Sequence, residues 1–316
     1  MKKQLLMTGM LALSGISFAQ TDRLWISGSS RIYSPILENM SRFENPQLYR
    51  LNINGLKNIL AKAPKRLSEK SEIIISFPNS TGKMENFKVT ENSNFESELA
   101  AKYPDIKSYI GEGIKNPGSK VYFSISSLGL SSMEIYSDKS AVFIQPYTKD
   151  LSTYIIYKKS DSKDNLNKLE CKVFDAAQKE SSNAIANKNA NDSTLRTFRL
   201  ALSCTGEYTS YFGGTKAQAL AAMNNTMTRV NGIFENDFAA RMVLIANNDD
   251  IIYTDASTDP YSQSSQMKNW NLELMNNLST SIGNNNFDIG HLFGRDGGGG
   301  NAGCIGCLCD NNMSRV

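Results

Sequence analysis

The chain has 316 residues, enough for two domains of ordinary size. Its 40% hydrophobic and 21% charged residues lie near globular averages and exclude wholesale disorder. A net charge of +3 is too small, over this length, to mark a nucleic-acid-binding surface.

The first nineteen positions read as an export signal. Lys2 and Lys3 form a basic start, Leu5 to Phe18 is mostly apolar and too short to span a bilayer, and Ser17-Phe18-Ala19 puts small residues where a signal peptidase needs them. Cleavage after Ala19 is expected, with the product secreted to the extracellular space or the periplasm. No later stretch reaches the ~18 uninterrupted apolar residues of a membrane helix, so no membrane partner is expected once the signal is gone. Export permits disulfides. The five cysteines are Cys171, Cys204, Cys304, Cys307 and Cys309, an odd count that leaves one unpaired in a lone chain. Cys204 and the three clustered cysteines are the disulfide candidates, and spacing does not set their connectivity.

Residues 20–160 read as one α+β unit. Ser71 to Phe77 is rich in β-branched residues and ends at Pro78-Asn79-Ser80, which makes it a strand followed by a turn. Glu85 to Val89 is its expected partner. Glu96 to Tyr103 predicts a short helix before Pro104. Val121 to Ile125, Ser132 to Glu134, Ala141 to Gln145 and Thr153 to Tyr157 continue as short strands at regular spacing, the pattern of an antiparallel sheet with one or two helices. Residues 161–194 are dominated by Lys, Ser, Asp, Asn and Ala, and read as a solvated linker interrupted by Leu169 to Phe174.

Residues 195–316 carry a different pattern. Thr197 to Cys204 alternates as a strand. Thr215 is a plausible N-cap for a helix whose Leu220, Met223, Met227, Val230, Phe234 and Phe238 form one apolar stripe. Arg241 to Ala246 predicts a strand, Ile251 to Tyr253 a short extended piece, Ser264 to Ser279 a second helix, and Phe287 onward another strand. The order β-α-β-(β)-α-β fits an α/β unit: a mixed or largely parallel twisted sheet with two helices.

Several chemistries fail on local context. Gly298, Gly300 and Gly303 spell G-x-G-x-x-G, but a dinucleotide site needs that run to open a helix, and Cys304-Ile305-Gly306-Cys307 follows instead. Cys304-x-x-Cys307 suits a disulfide in an exported chain better than half a zinc site or a redox pair. His291 is the only histidine; on a face with Phe287, Ile289 and Phe293 it reads as structural. There is no G-x-S-x-G elbow for a serine nucleophile.

Three stretches carry a resemblance: Arg196 to Tyr208, Arg229-Val230-Asn231-Gly232-Ile233-Phe234-Glu235-Asn236-Asp237, and Phe287 to Phe293 with the cysteine run that follows. They resemble the N-terminal part of the catalytic domain of secreted bacterial reprolysin-like zinc metallopeptidases, in the metzincin clan. The resemblance implies a zinc metalloendopeptidase acting on protein or peptide substrates through zinc-activated water. It implies that residues 20–194 are a propeptide, and that Gly303, Cys304, Ile305, Gly306 and Cys307 lie at the edge strand where substrate binds by strand addition; a plain disulfide-tied edge loop is the competing reading. Cys171 becomes a candidate cysteine switch, a thiolate that silences zinc, or else a core cysteine on a short strand. The family holds zinc with the three histidines of H-E-x-x-H-x-x-G-x-x-H, and none of these is present. The expectation is therefore a precursor fragment, truncated before that helix, that binds no catalytic zinc and has no catalytic residues of its own. A secreted binding or inhibitory module without enzymatic ancestry is the alternative.

Overall fold

Short alternating strands bounded by turns dominate the first half of the chain, and a computed structural model joins nine of them into one antiparallel sheet. The structure describes residues 24–28, 34–40, 43, 47–158, 161, 171–173, 193–295 and 299–302; the expected signal peptide, 1–19, most of the expected linker, 161–194, and the run from Gly303 to Cys309 lie outside them. In chain order the strands are β1 (Trp25–Ser27), β2 (Gln47–Leu51), β3 (Ile74–Pro78), β4 (Met84–Glu91), β5 (Lys107–Gly113), β6 (Lys120–Ser126), β7 (Gly129–Ile135), β8 (Ala141–Pro146) and β9 (Thr153–Lys158). Their spatial order is β1-β2-β9-β8-β7-β6-β5-β4-β3.

The sheet curls until its two ends touch. Trp25 on β1 donates its indole N–H to the Ser76 carbonyl on β3 at 2.8 Å and packs its ring against Phe77 at 6.2 Å. The alternation in β6 then has a plain meaning. Val121, Phe123 and Ile125 face the hollow of the curl, where Phe77, Phe87, Tyr109, Leu130 and Ile144 meet them. Helix α1 (Ile53–Leu60) closes the hollow with Leu56 and Leu60, its first turn capped by Asn52 accepting from the Gly55 N–H at 2.9 Å. Tyr122, Ser124, Ser131 and Met133 alternate onto the outer face.

A second sheet is fully parallel, in the order β12-β11-β13: β11 (Arg196–Cys204) lies in the centre, flanked by β12 (Ala240–Leu244) and β13 (Ile289–Phe293). Helix α2 (Ser97–Lys102) falls between β4 and β5; α3 (Gly206–Tyr211) and α4 (Lys216–Phe238) follow β11; α5 (Trp270–Ser281) precedes β13. Thr215 caps α4 by accepting from the Gln218 N–H, as the sequence predicts. Leu200 and Leu202 face α4 with Leu220, Met223 and Met227, while Ala201 faces α5 with Leu274 and Leu278. The two sheets make a mixed α+β protein, and no helix among the described residues is long and apolar enough to cross a membrane.

Two expectations shift. The helix expected from Ser264 is a 3-10 turn over Ser264–Asn269, broken at Gln266, and becomes α-helical only at Trp270. The cause is local: the Trp270 indole donates to the Ser262 carbonyl at 2.7 Å and the Glu273 carboxylate accepts from the Ser262 N–H at 2.9 Å, which folds the preceding chain back on the helix. The extended piece expected at 251–253 begins one residue late: Ile251 closes another 3-10 turn, Asn248–Ile251, and Ile252 is extended and bridges Cys204 in parallel, while the Asn248 side chain fills the ladder before it. It accepts from the Leu202 N–H at 2.8 Å and donates to the Leu202 carbonyl at 2.9 Å.

One carboxyl is buried against type. Glu134 on β7 faces the hollow beside Val121 and Val142; one oxygen accepts from the Tyr136 hydroxyl at 2.8 Å and the other has no partner. Burial pushes its pKa up to about 8. The unfolded chain releases this proton from about pH 4.5 upward, while the folded chain keeps it until about 8, so stability falls across that window and levels off above it. Glu134→Gln, which mimics the protonated acid, should match the parent near pH 4 and exceed it at pH 8 by on the order of 4 kcal/mol. Thermal melts of both proteins from pH 4 to 9 check this; parallel pH profiles would count against it.

Candidate functional site: a parallel sheet and its edges

The three stretches singled out in the sequence meet around β11. Asp288, just before β13, accepts from the Arg199 backbone N–H at 2.7 Å and from the Arg199 guanidinium at 2.8 Å. That charge-assisted pair sets the register of β13 against β11. On α4, Asn231 brackets Met242 of β12, accepting from its N–H and donating to its carbonyl, each at 2.8 Å. Glu235 is clamped between two guanidiniums, Arg66 at 2.7 Å and Arg241 at 3.7 Å, with its side chain 3% exposed. Strand, helix and strand are thus tied by the polar members of the motifs, while the apolar members fill the layers between them.

Around β11 lies a second polar chain. The Tyr261 hydroxyl donates to Ser203 Oγ at 2.6 Å, Ser203 donates to the Ile251 carbonyl at 2.7 Å, and Asn277 joins Tyr261 to the Tyr253 hydroxyl. Its members are satisfied by one another, which makes it a core network without a free nucleophile. Asp249, at the end of β12's sheet, is hydrogen-bonded by Lys102 and Tyr103 of the α2 region. Burial opposes its ionisation, but those two hydrogen bonds outweigh the penalty and hold its carboxyl below the usual range.

The edge expected to take substrate lies beyond β13 in the chain. Gly294 lies under the Trp270 ring, where a Cβ would come within 2.3 Å, so only glycine fits. Then comes β14 (Gly300–Ala302), immediately before the predicted edge residues Gly303, Cys304, Ile305, Gly306 and Cys307, which lie outside the described residues. Along β14 runs β10 (Cys171–Val173), in parallel: Cys171 opposite Gly300, Lys172 opposite Asn301, Val173 opposite Ala302. Spacing alone did not reveal this pairing, although Leu169 to Phe174 was the one ordered-looking interruption in the polar linker.

The expected disulfide role of Cys204 does not hold. Its thiol is free, completely buried on β11 and 3.3 Å from Thr209 Oγ1. The core around Leu202 and Leu220 has closed over it, and burial pushes the thiol pKa up to about 11. The other candidates, Cys304, Cys307 and Cys309, lie outside the described residues. His291 lies opposite Leu202 in the ladder, exposed, with its ring edge-on to Phe293 at 5.4 Å. Phe287, expected on the same face, packs instead on the α5 side, because it precedes the strand and escapes its alternation.

Residues 194–315 match the family model of metallo-peptidase family M12B, reprolysin-like. Over these residues, less than half of the chain, the protein is similar to reprolysin-like metallopeptidases. No curated protein matches the chain. The M12B family is zinc-dependent, and a catalytic zinc takes three protein ligands. Here the reprolysin-like segment contributes one histidine, and no three His, Cys, Asp or Glu side chains converge among the described residues. The donor set among the described residues does not fit a catalytic zinc.

A buried thiol of raised pKa is a poor nucleophile. Alkylation of the native protein at pH 8 followed by peptide mass spectrometry should leave Cys204 unmodified until the chain is unfolded. Rapid labelling, or a peptide disulfide-linked through Cys204, would contradict the closed core described here.

Proposed function

We propose that the chain is the precursor form of a secreted zinc metalloendopeptidase. In this reading residues 1–19 are a signal peptide, 20–160 a propeptide domain, 161–194 the end of the propeptide, and 195–316 supply the strand–helix scaffold of the catalytic domain. The observation that carries the reading is the family match over 194–315 on a layered β-α-β unit whose Arg199, Asp288, Asn231 and Glu235 lock the matched stretches together.

The position of β10 supports the same reading. A strand from upstream of the scaffold lies along β14, the strand that leads into Gly303–Cys307. Backbone groups on such an edge are what an extended peptide uses when it binds by strand addition. An upstream segment seated there stands where peptide substrate would approach. Cys171 heads that segment, and a thiolate is a soft ligand suited to zinc in a form of the enzyme that carries the metal. With a single histidine, the 316-residue chain itself binds no catalytic zinc and cleaves no peptide bonds.

Two measurements test this. Mass spectrometry of the exported protein from its own cell should find a processed form beginning between residues 174 and 195. Equilibrium dialysis of the purified chain should find no stoichiometric zinc. An exported product that keeps residues 20–316 uncut would sink the precursor reading and favour a binding or inhibitory module; stoichiometric zinc with peptide cleavage would sink the inactivity of this chain.

A further inference from the structure

The connection between β4 and β5 leaves one sheet, reaches the other and returns. The Asn94 carbonyl accepts from the Leu244 N–H at 2.8 Å and the Glu96 N–H donates to the Leu244 carbonyl at 2.9 Å, so residues 94–96 run parallel along the outer edge of β12. The Glu96 carboxylate then accepts from the Ala246 N–H at 2.8 Å. Between these anchors Phe95, 5% exposed, enters the core of the parallel sheet with Leu99 of α2 and Ile106, against Leu200, Leu220 and Leu244.

Helix α4 receives the same segment from the side. Asn94 donates to Asn224 at 3.0 Å and to Thr228 at 2.8 Å, and accepts from Asn231 at 3.0 Å. Asn92 and the Ser93 carbonyl accept from Arg241, and Arg66 reaches Glu235. Further along the helix, Ser124 meets Asn225, and Arg229 donates to Ser131 and Gln145. Gly232 lets the helix approach the sheet: a Cβ there would come within 2.7 Å of the Met133 methyl and 2.9 Å of the Tyr122 ring.

Beside the core that Phe95, Leu99 and Ile106 share with the parallel sheet, two properties mark this contact as an interface. The face of α4 turned to the nine-stranded sheet is small and polar, while its Leu220, Met223 and Met227 face the parallel sheet. A polar helix face tolerates water when bare, as surfaces that part from one another must. The matched hydrogen bonds also reach the complement of a stable protein interface, about ten, around apolar anchors at Phe95 and Leu99.

We infer that residues 92–106 are a docking element that keeps the 24–158 unit bound to the 195–293 unit after the chain between them is cut. Processing then leaves a specific, reversible two-piece complex. The inference rests on the precursor reading only for the origin of the cut. The docking element holds the β12 edge and β13 lies on the other side of β11, so this grip is separate from the β10 strand on β14. Holding and blocking are done by different parts of the upstream chain.

The test uses the full chain with a sequence-specific protease site placed within residues 174–190. After cutting, size-exclusion chromatography over a dilution series reads the dissociation constant of the two pieces. The pieces should elute together at micromolar concentration. Asn94→Ala should raise the dissociation constant at least ~10-fold, since it strands three buried polar partners. Gly232→Ala should also raise it, although alanine is the better helix former, because the added methyl meets Tyr122 and Met133. If Asn94→Ala does not fold, Gly232→Ala decides alone. Parent pieces that separate at micromolar concentration, or a dissociation constant unmoved by every variant that folds, would overturn the inference. The readout needs no enzymatic activity, so it stands or falls separately from the protease reading.

Discussion

The side-chain amide of Asn94 is the constraint around which the two sheets are arranged. It is 2% exposed, and its donors and acceptor are taken up by Asn224, Thr228 and Asn231, all on α4. A buried amide left unmatched would cost ~1–3 kcal/mol per stranded group, so the helix is fixed in rotation and along its axis to the place where all three partners line up. Asn231 passes the constraint on, because the same side chain brackets Met242. The position of β12, and through it of β11 and β13, is thereby referred to a loop of the other sheet.

This arrangement explains why α4 carries so little of a conventional amphipathic pattern. It is covered on two sides by different chemistries: the parallel sheet takes Leu220, Met223 and Met227, and the curled sheet takes asparagines, a threonine and a glycine. Read as sequence, the asparagines of Ala222-Met223-Asn224-Asn225 and Val230-Asn231 look like solvent-facing positions, and the apolar stripe was legible while the docked polar face was not. Periodicity reports which residues avoid water, and it is silent about polar groups that are buried with partners.

The same logic sorts the rest of what the sequence disclosed. Strands with clean alternation, such as β6 and β9, and the capped start of α4 stand where the pattern puts them, since propensity, period and burial agree. β5 was not legible because Lys107–Gly113 spends two of seven positions on glycine. Gly111 is needed there, since a Cβ would press on Val121 and Phe87 across the sheet. β1 is three residues long and is held by its pairing with β2 and by one indole hydrogen bond across the closure of the curl, a contact 51 residues distant in sequence. At the candidate site, the motif stretches were legible by resemblance, but the roles of Arg199, Asp288 and Glu235 are positional and appear only once the strands are side by side. Cys204 shows the opposite error: counting cysteines suggests a bridge, whereas its place on the innermost strand makes it a small apolar filler.

Metal chemistry and scaffold geometry can therefore be separated in this chain. The parallel sheet and the helices packed on it are held together by hydrogen bonds, an ion pair and packing among the described residues. None of those contacts uses an imidazole; the one histidine lies exposed on β13 against Phe293. Residues that build a sheet answer to backbone geometry, and residues that grip a metal answer to donor chemistry, so the two sets are chosen by different constraints. What holds the unit is the loop from β4 to β5, and the scaffold's dependence on that loop is greatest at Phe95. There a side chain from outside the matched segment occupies its core.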